Sequence, residues 1–363
     1  MSGLRRALGT GLLAAIGVFA LDGLLFHTSL YMSILEPDSS SGLYQLILHR
    51  EQDAQKTWGD AMILTFGDSR FAYSPKLSNE LTPETGYTFR SAGVAGSEIR
   101  TWYYMLRDLD PAARRYRALV FGVNDYGDED TLYFPDDDIR ALHYAISSLR
   151  WSDALDFARS FHTPAIQRQA FLGVLLKGLV LQSDVQAFLT HPLKRIAYVQ
   201  LCRRGYEDWT YNYVDVPTAM TGLEIDWRTM TAKFPPGSTP EQISTTTSWL
   251  LHPPSPQTGR LAAYRRDWFG RIIDRYRGSR TRIIFVRLPR GPIPRPAFLA
   301  QKTTSSIREF ASRPNVLLCD ESAFNSLERP ELFKDAWHLN REGIARFSPM
   351  LAKEVTRVLG PVR

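Results

Sequence analysis

Apolar positions fall into three patterns along this chain, and each predicts a different kind of element. The first is a near-continuous run from Ala7 to Phe26, carrying one charge, Asp22, near its far end. About 20 such residues at 1.5 Å rise cross a hydrocarbon core of roughly 30 Å. The second is the short solid run that ends in small or polar residues. Met62–Phe66 runs into Gly67, Asp68 and Ser69; Thr88-Phe89 leads to the small-residue loop Ser91–Gly96; Ala118–Gly122 is followed by Asn124 and Asp125; Thr281–Val286 and Asn315–Leu318 complete the set. Runs this uniformly apolar suit strands of a parallel sheet covered on both faces. The third has helical spacing: Trp102, Met105, Leu106 and Leu109 within Ile99–Leu109; Trp268, Ile272 and Tyr276 within Leu261–Tyr276; and Ile344, Phe347, Leu351, Val355 and Val358 after Asn340, a good helix cap. Tyr44–Lys56 reads as a short helix, and Pro75–Glu84 as helix-compatible through Leu77 and Leu81, interrupted at Pro83. Strands separated by helices predict an α/β fold with a five-stranded, doubly wound parallel sheet.

The alternation stops between Tyr126 and about Gly259. Ile139–Phe161 and Ala165–Leu189 look like amphipathic helices, and Tyr206–Pro256 is irregular and rich in Pro, Thr and Trp. A structureless loop of that length does not fit a compact domain, so the segment reads as an inserted subdomain over one sheet edge. The expected organisation is therefore a cytoplasmic N-terminus and transmembrane anchor at 1–27 and a linker at 28–60, with Asp38–Gly42 as a flexible joint. A core domain follows from 61–125 and 260–363, and the insertion occupies 126–259.

Arg5 and Arg6 ahead of the first run hold the N-terminus in the cytoplasm and send the rest to the outer side. The competing reading is a cleaved signal peptide, with Val18-Phe-Ala20 as its cleavage site. Apolar sequence continuing through Leu21, Leu24, Leu25 and Phe26 favours the uncleaved anchor. The remainder is ordinary globular sequence: 363 residues, 44% hydrophobic and 23% charged. Its net charge of +6 is scattered, with no basic block. That argues against a nucleic-acid arm and allows contact with anionic lipid or glycan. The two cysteines, Cys202 and Cys319, lack metal-ligand spacing, and Cys319 follows a strand, which suits a buried free thiol better than a disulfide.

A serine at the end of a strand is ordinary turn chemistry unless a base can take its proton and a third group orients that base. Of seven histidines, only His338 has a carboxylate three residues earlier in a loop opening a helix, in Asp335-Ala-Trp-His-Leu-Asn340. Alone, that pair reads as cap and surface. Acyl chemistry also needs donors for an oxyanion. The Ser69 N–H, the Gly96 N–H and the Asn124 side chain would lie at the carboxyl ends of three strands, the edge where open α/β sheets build their sites.

Together, Gly67-Asp-Ser69, Gly96, Gly122-Val-Asn-Asp125 and Asp335-x-x-His338 resemble the four sequence blocks of the SGNH (GDSL) hydrolase family, in family order. The resemblance covers about half the chain. It implies a flavodoxin-like three-layer α/β/α sandwich and an esterase or acyltransferase working without metal or nucleotide. Ser69 would be the nucleophile, His338 the base and Asp335 its orienter, with Ser69, Gly96 and Asn124 forming the oxyanion hole. Arg70 stands where the family has leucine, and Ser91–Gly96 lacks the usual leading Asn, leaving Gly93 as an alternative to Gly96. A membrane anchor with an enlarged domain resembles exported enzymes that acylate or deacylate cell-envelope polymers, some beside a multi-pass membrane-bound O-acyltransferase. The expectation is thus an inner-membrane, single-pass protein with its catalytic domain outside, acting on acyl esters of a polysaccharide, acetyl above all, through an acyl-serine. The alternatives are a non-catalytic glycan-binding or partner subunit of an envelope acylation complex, and a lysophospholipase or thioesterase.

Arg70, Arg287, Arg290 and Arg295 lie on the expected site edge and could hold an anionic substrate, or be solvated. Trp209, Tyr211, Tyr213, Trp227 and Trp249 could stack on sugars, or pack. Asp68 and Asp125 read as structural, and Asp128–Asp130 with Asp136–Asp138 as a solvated acidic turn rather than a calcium loop. His143, His162, His191 and His252 have no ligand spacing and read as surface or packing.

Overall fold

The computed structural model describes residues 2–55, 59, 61–72, 82–129, 138–211, 220–253, 258–299 and 304–362. The chain divides into two compact units, one of residues 1–50 with 136–206 and the other of residues 51–135 with 207–363.

The second unit is built on a five-stranded parallel sheet. Its strands are β1 (Met62–Phe66), β2 (Thr88–Ser91), β3 (Ala118–Val123), β6 (Arg282–Arg287) and β7 (Val316–Leu318), in the order β2-β1-β3-β6-β7. Every residue of β1 and β3 is buried, which is why those strands read as solid apolar runs. On one face Phe66, Phe121 and Phe285 pack with Trp102 and Phe269 from the helices Ile99–Leu109 and Thr258–Arg275. On the other, Ile63, Phe89, Val120, Ile284 and Val286 join Phe347, Leu351 and Val355 of the helix Arg341–Leu359. Asn340 caps that helix, accepting the Gly343 N–H at 2.9 Å.

The span 126–259 does not stay together. Residues 207–259 belong to the sheet unit. They include the antiparallel pair β4 (Glu224–Asp226) and β5 (Thr231–Lys233), the helix Pro240–Thr246 and a helical turn at Thr247–Leu251, so the expected irregular stretch is partly regular. Residues 126–135 stay with the sheet unit as well, and residues 136–206 group with the N-terminal fifty residues. Helices in this latter segment are shorter than the apolar pattern implied. Arg140–Ala145 and Ala154–Arg159 replace the first expected helix, and Pro164–Leu175, Lys177–Val180 and Gln182–Thr190 the second. Pro164 and Pro192 open new helices, where a missing N–H costs nothing.

The expected linker at 28–60 holds, among its described residues, more helix than the expected Tyr44–Lys56. Ser29–Met32 and Ser40–Ala54 are helical, with Tyr44, Leu46, Ile47 and Leu48 buried. The N-terminal helix runs Ser2–Phe26, and its stretch Gly9–Phe26 is long and apolar enough to cross a membrane. Most of the expected Pro75–Glu84 helix lies outside the described residues; Thr82–Thr85 forms a helical turn. Cys202 and Cys319 are both buried free thiols.

Candidate functional site

β1 ends at Gly67, and the chain turns at once into the helical turn Ser69–Ala72. A Cβ on Gly67 would sit 2.5 Å from the Phe71 Cβ, so only glycine lets the strand end fold this tightly under the following turn. The turn is also pinned by Asp68. Its carboxylate accepts the Arg70 N–H at 2.9 Å and grips the same residue's guanidinium at 3.1 Å (Nε) and 2.5 Å (Nη2). Burial alone would raise the Asp68 carboxyl, but the Arg70 charge and hydrogen bonds hold it below the ordinary carboxylate range. Ser69 is thereby presented at the carboxyl edge of the sheet.

The partner of Ser69 comes from the other end of the chain. Phe333 and Leu339 form an isolated antiparallel bridge, and the loop between them carries Asp335 and His338. The Asp335 Oδ1 accepts the Trp337 and His338 backbone N–H groups at 2.9 and 2.8 Å, which winds the loop onto its own carboxylate. The His338 Nδ1 then meets Asp335 at 2.8 Å (Oδ2) and 3.0 Å (Oδ1). Burial pushes the Asp335 carboxyl up, but bonds from the His338 ring and the two backbone N–H groups bring it below its usual value, so it is ionised at neutral pH. An ionised acceptor fixes the ring hydrogen on Nδ1. Nε2 is left to accept from the Ser69 hydroxyl, 2.7 Å away. The arrangement can pass the Ser69 proton to His338 and stabilise the resulting imidazolium.

Two further residues were singled out as oxyanion donors. Asn124 follows β3 and is buried beside Arg70 in the lining of a cleft. Gly96 occupies an exposed turn after β2 with φ +73°, a conformation that favours glycine, closed by a Ser97 N–H to Val94 carbonyl bond of 3.0 Å. The alternative, Gly93, already donates its N–H to Ser91 Oγ at 3.1 Å.

The cleft has a volume of about 130 Å³. Its walls include Trp227, Trp249, Leu250, Ile293, Ala336 and Trp337 on the apolar side and Arg70, Asp125, Glu129, Arg290 and Arg295 on the polar side. Trp337 lies nearly parallel to the His338 ring, 5.9 Å between centroids, and meets Trp249 edge-on at 5.0 Å. Trp249 is one of the aromatic residues the sequence offered for stacking on sugars, whereas Trp337 had no signal beyond standing next to a histidine. The Trp209 and Tyr211 side chains and Tyr213 fall outside what the structure describes.

The arginines separate. Arg290 lines the cleft and pairs with Asp125 at 3.2 Å, and Arg295 lines it too. Arg287, expected on the same edge as a substrate contact, is instead buried and committed. It bonds the equally buried Glu328 at 2.7 Å and also grips Asn325 and the Glu321 carbonyl. It is a tie between β6 and the 321–328 loop and does not reach the site. Asp128 likewise departs from the expected solvated turn. It is fully buried and accepts from Thr304, the Ser306 N–H and hydroxyl, and Arg265. Asp130, Asp136 and Asp137 lie outside the described residues, among which no cluster of three His, Cys, Asp or Glu side chains forms.

No protein-family model matches the chain. A stretch of 106 residues is 35% identical to the lysine–tRNA ligase of Bordetella bronchiseptica, covering 29% of this chain and 20% of that protein. So short a share of the ligase carries no argument about this site.

Proposed function

We propose that the sheet unit is a serine esterase or O-acyltransferase of the SGNH type, on a flavodoxin-like sandwich. The observation that carries the reading is the unbroken relay from Ser69 through His338 to Asp335, with bonds of 2.7 and 2.8 Å joining residues 269 positions apart. Counting only its own strands, the sheet order is 2-1-3-4-5, which supports the flavodoxin-like assignment. Ser69 attacks an ester carbonyl as His338 takes its proton, and the tetrahedral oxyanion is held by the Ser69 and Gly96 N–H groups and Asn124. His338 then protonates the leaving alkoxide, and the acyl-serine passes its group to water or to an acceptor hydroxyl.

The cleft supports a glycan ester as substrate. Indole faces such as Trp227 and Trp249 suit sugar rings, and Arg290 and Arg295 suit an anionic group on them. The buried Trp337 indole N–H, with no partner among the described residues, is a donor for a substrate hydroxyl. In this reading the N-terminal helix anchors the protein in the inner membrane with the site outside, where exported polysaccharide and a multi-pass O-acyltransferase would be met.

The test is hydrolysis of a chromogenic acetyl ester and covalent labelling by a fluorophosphonate, both lost in Ser69→Ala. A second reading, a non-catalytic glycan-binding subunit, is favoured by the same aromatic cleft; it requires glycan binding that survives Ser69→Ala with no ester cleaved. Lysolipids and thioesters in the substrate panel separate the lysophospholipase or thioesterase alternative.

A further inference from the structure

Phe171–Leu181 is apolar apart from Lys177 and plays no part in the candidate site. It forms the end of the helix Pro164–Leu175 and the turn Lys177–Val180, in the compact unit that also contains the N-terminal helix. This junction is bonded to that helix within its apolar stretch. The Asp22 carboxylate accepts the N–H groups of Lys177 at 3.0 Å and Gly178 at 2.8 Å. Three residues earlier, Phe19 stacks on Trp151 with 5.2 Å between centroids, and the Trp151 Nε1–H donates to the Leu175 carbonyl at 3.3 Å. The fit is close: a Cβ on Gly23 would lie 2.8 Å from the Trp151 ring, and one on Gly178 3.0 Å from the Phe26 ring.

These contacts set a depth. At 1.5 Å per residue, Asp22 and Phe19 lie about 6 and 10 Å inside the Phe26 end of the helix. Groups bonded to them lie at the same level. Around the junction Trp151, Leu155, Leu172 and Leu179 are 45, 51, 43 and 60% exposed. Trp151 adjoins the helix itself through its stack on Phe19, and on that helix Leu12, Leu13 and Ile16 are 63, 71 and 55% exposed. Asp22, the one charge in the apolar run, has its oxygens satisfied by backbone N–H groups, as a carboxylate at that depth requires.

We infer that Trp151, Leu155 and the junction Phe171–Leu181 form a bilayer-embedded platform, with lipid acyl chains covering Trp151, Leu155, Leu172 and Leu179. The inference rests on the reading that the N-terminal helix spans a membrane. The depth matches interfacial helices, whose apolar faces sink roughly 5–10 Å into the headgroup–acyl boundary. Lipid is the occupant because Trp151 and the 177–178 turn contact the N-terminal helix within the stretch that would cross the membrane. The helix is then no loose tether: the unit it belongs to is fixed at the membrane surface.

The full-length chain in phosphatidylethanolamine–phosphatidylglycerol vesicles tests this, with an environment-sensitive fluorophore on Ile16→Cys, Leu172→Cys or Leu179→Cys. The native thiols are buried and the unsubstituted chain gives the blank. Acyl-chain nitroxides are expected to quench all three labels about twofold or more, and aqueous iodide none of them. Iodide quenching at Leu172→Cys and Leu179→Cys, with Ile16→Cys still quenched from the lipid, overturns the platform and leaves the spanning reading intact. Labels at 172 and 179 shielded from both quenchers mean that a second copy covers the face, which also overturns it. Iodide quenching at Ile16→Cys removes the spanning reading, and the platform with it.

Discussion

Both compact units hold partly buried carboxylates, and they use them in opposite ways. In the unit that contains the N-terminal helix, Asp184 accepts from the Tyr31 hydroxyl at 2.6 Å, the Glu36 N–H at 3.0 Å and Arg195 at 3.2 Å. Arg195 also pairs with Glu36 at 2.7 Å, so the network returns to its own starting segment. In the sheet unit, Asp335 gathers two backbone N–H groups and the His338 ring, whose far nitrogen reaches Ser69. A network that closes on itself fixes distant segments of chain. One that ends on a hydroxyl beside a cleft can move a proton. The difference lies in where the bonds end, since Asp68 is also held below the ordinary carboxylate range and yet ends on Arg70.

The largest expected effect breaks the open network. Ser69→Ala should lower ester turnover by about 10⁴-fold or more with the thermal unfolding midpoint unchanged, and Asp335→Asn, which leaves His338 in the wrong tautomer, by a similar factor. Unchanged turnover in either variant would make the relay as structural as Asp184. Next comes a closed tie. Arg287→Met takes the nearest partner from the buried Glu328, leaving it the Arg290 N–H at 3.2 Å and Nε at 3.5 Å, and should cost about 3 kcal/mol in denaturant unfolding, with KM and kcat of the folded protein unaltered. A kinetic change without a stability loss would return Arg287 to the site.

Acid distinguishes the carboxylates from the rest. Because the folded protein holds Asp335 and Asp68 below their unfolded values, both contribute stability above about pH 3.9. That contribution is lost as pH falls through their folded values. Asp68→Asn should flatten the acid limb of the unfolding midpoint plotted against pH; an unaltered limb would contradict the pairing with Arg70. Smallest is Arg290→Met, half-exposed at the cleft, whose stability change should stay within about 1 kcal/mol. Its effect belongs in KM for anionic esters, compared with neutral ones.

The sheet was legible because strands buried on both faces are apolar at nearly every position. Met62–Phe66 and Ala118–Gly122 admit little else. Asp335 and His338 were legible because a three-residue spacing is a local geometric fact. Arg287 and Arg290 show where that ends. They stand three residues apart, one closing β6 and the other in the loop after it, and both reach Glu328; yet Arg287 is buried there, 41 positions away in sequence, while Arg290 also lines the cleft. The division of the insertion was hidden for the same reason. Asp22 meets Gly178 across 156 residues, and no local pattern records such a contact.

The central claim is that Ser69 is the nucleophile, and peptide mass spectrometry after fluorophosphonate treatment of the full-length protein tests it most directly. The account predicts one adduct, on the peptide containing Ser69, strongly reduced in His338→Ala and absent in Ser69→Ala. An adduct on another serine, or none on a protein that still cleaves acyl esters, would contradict it.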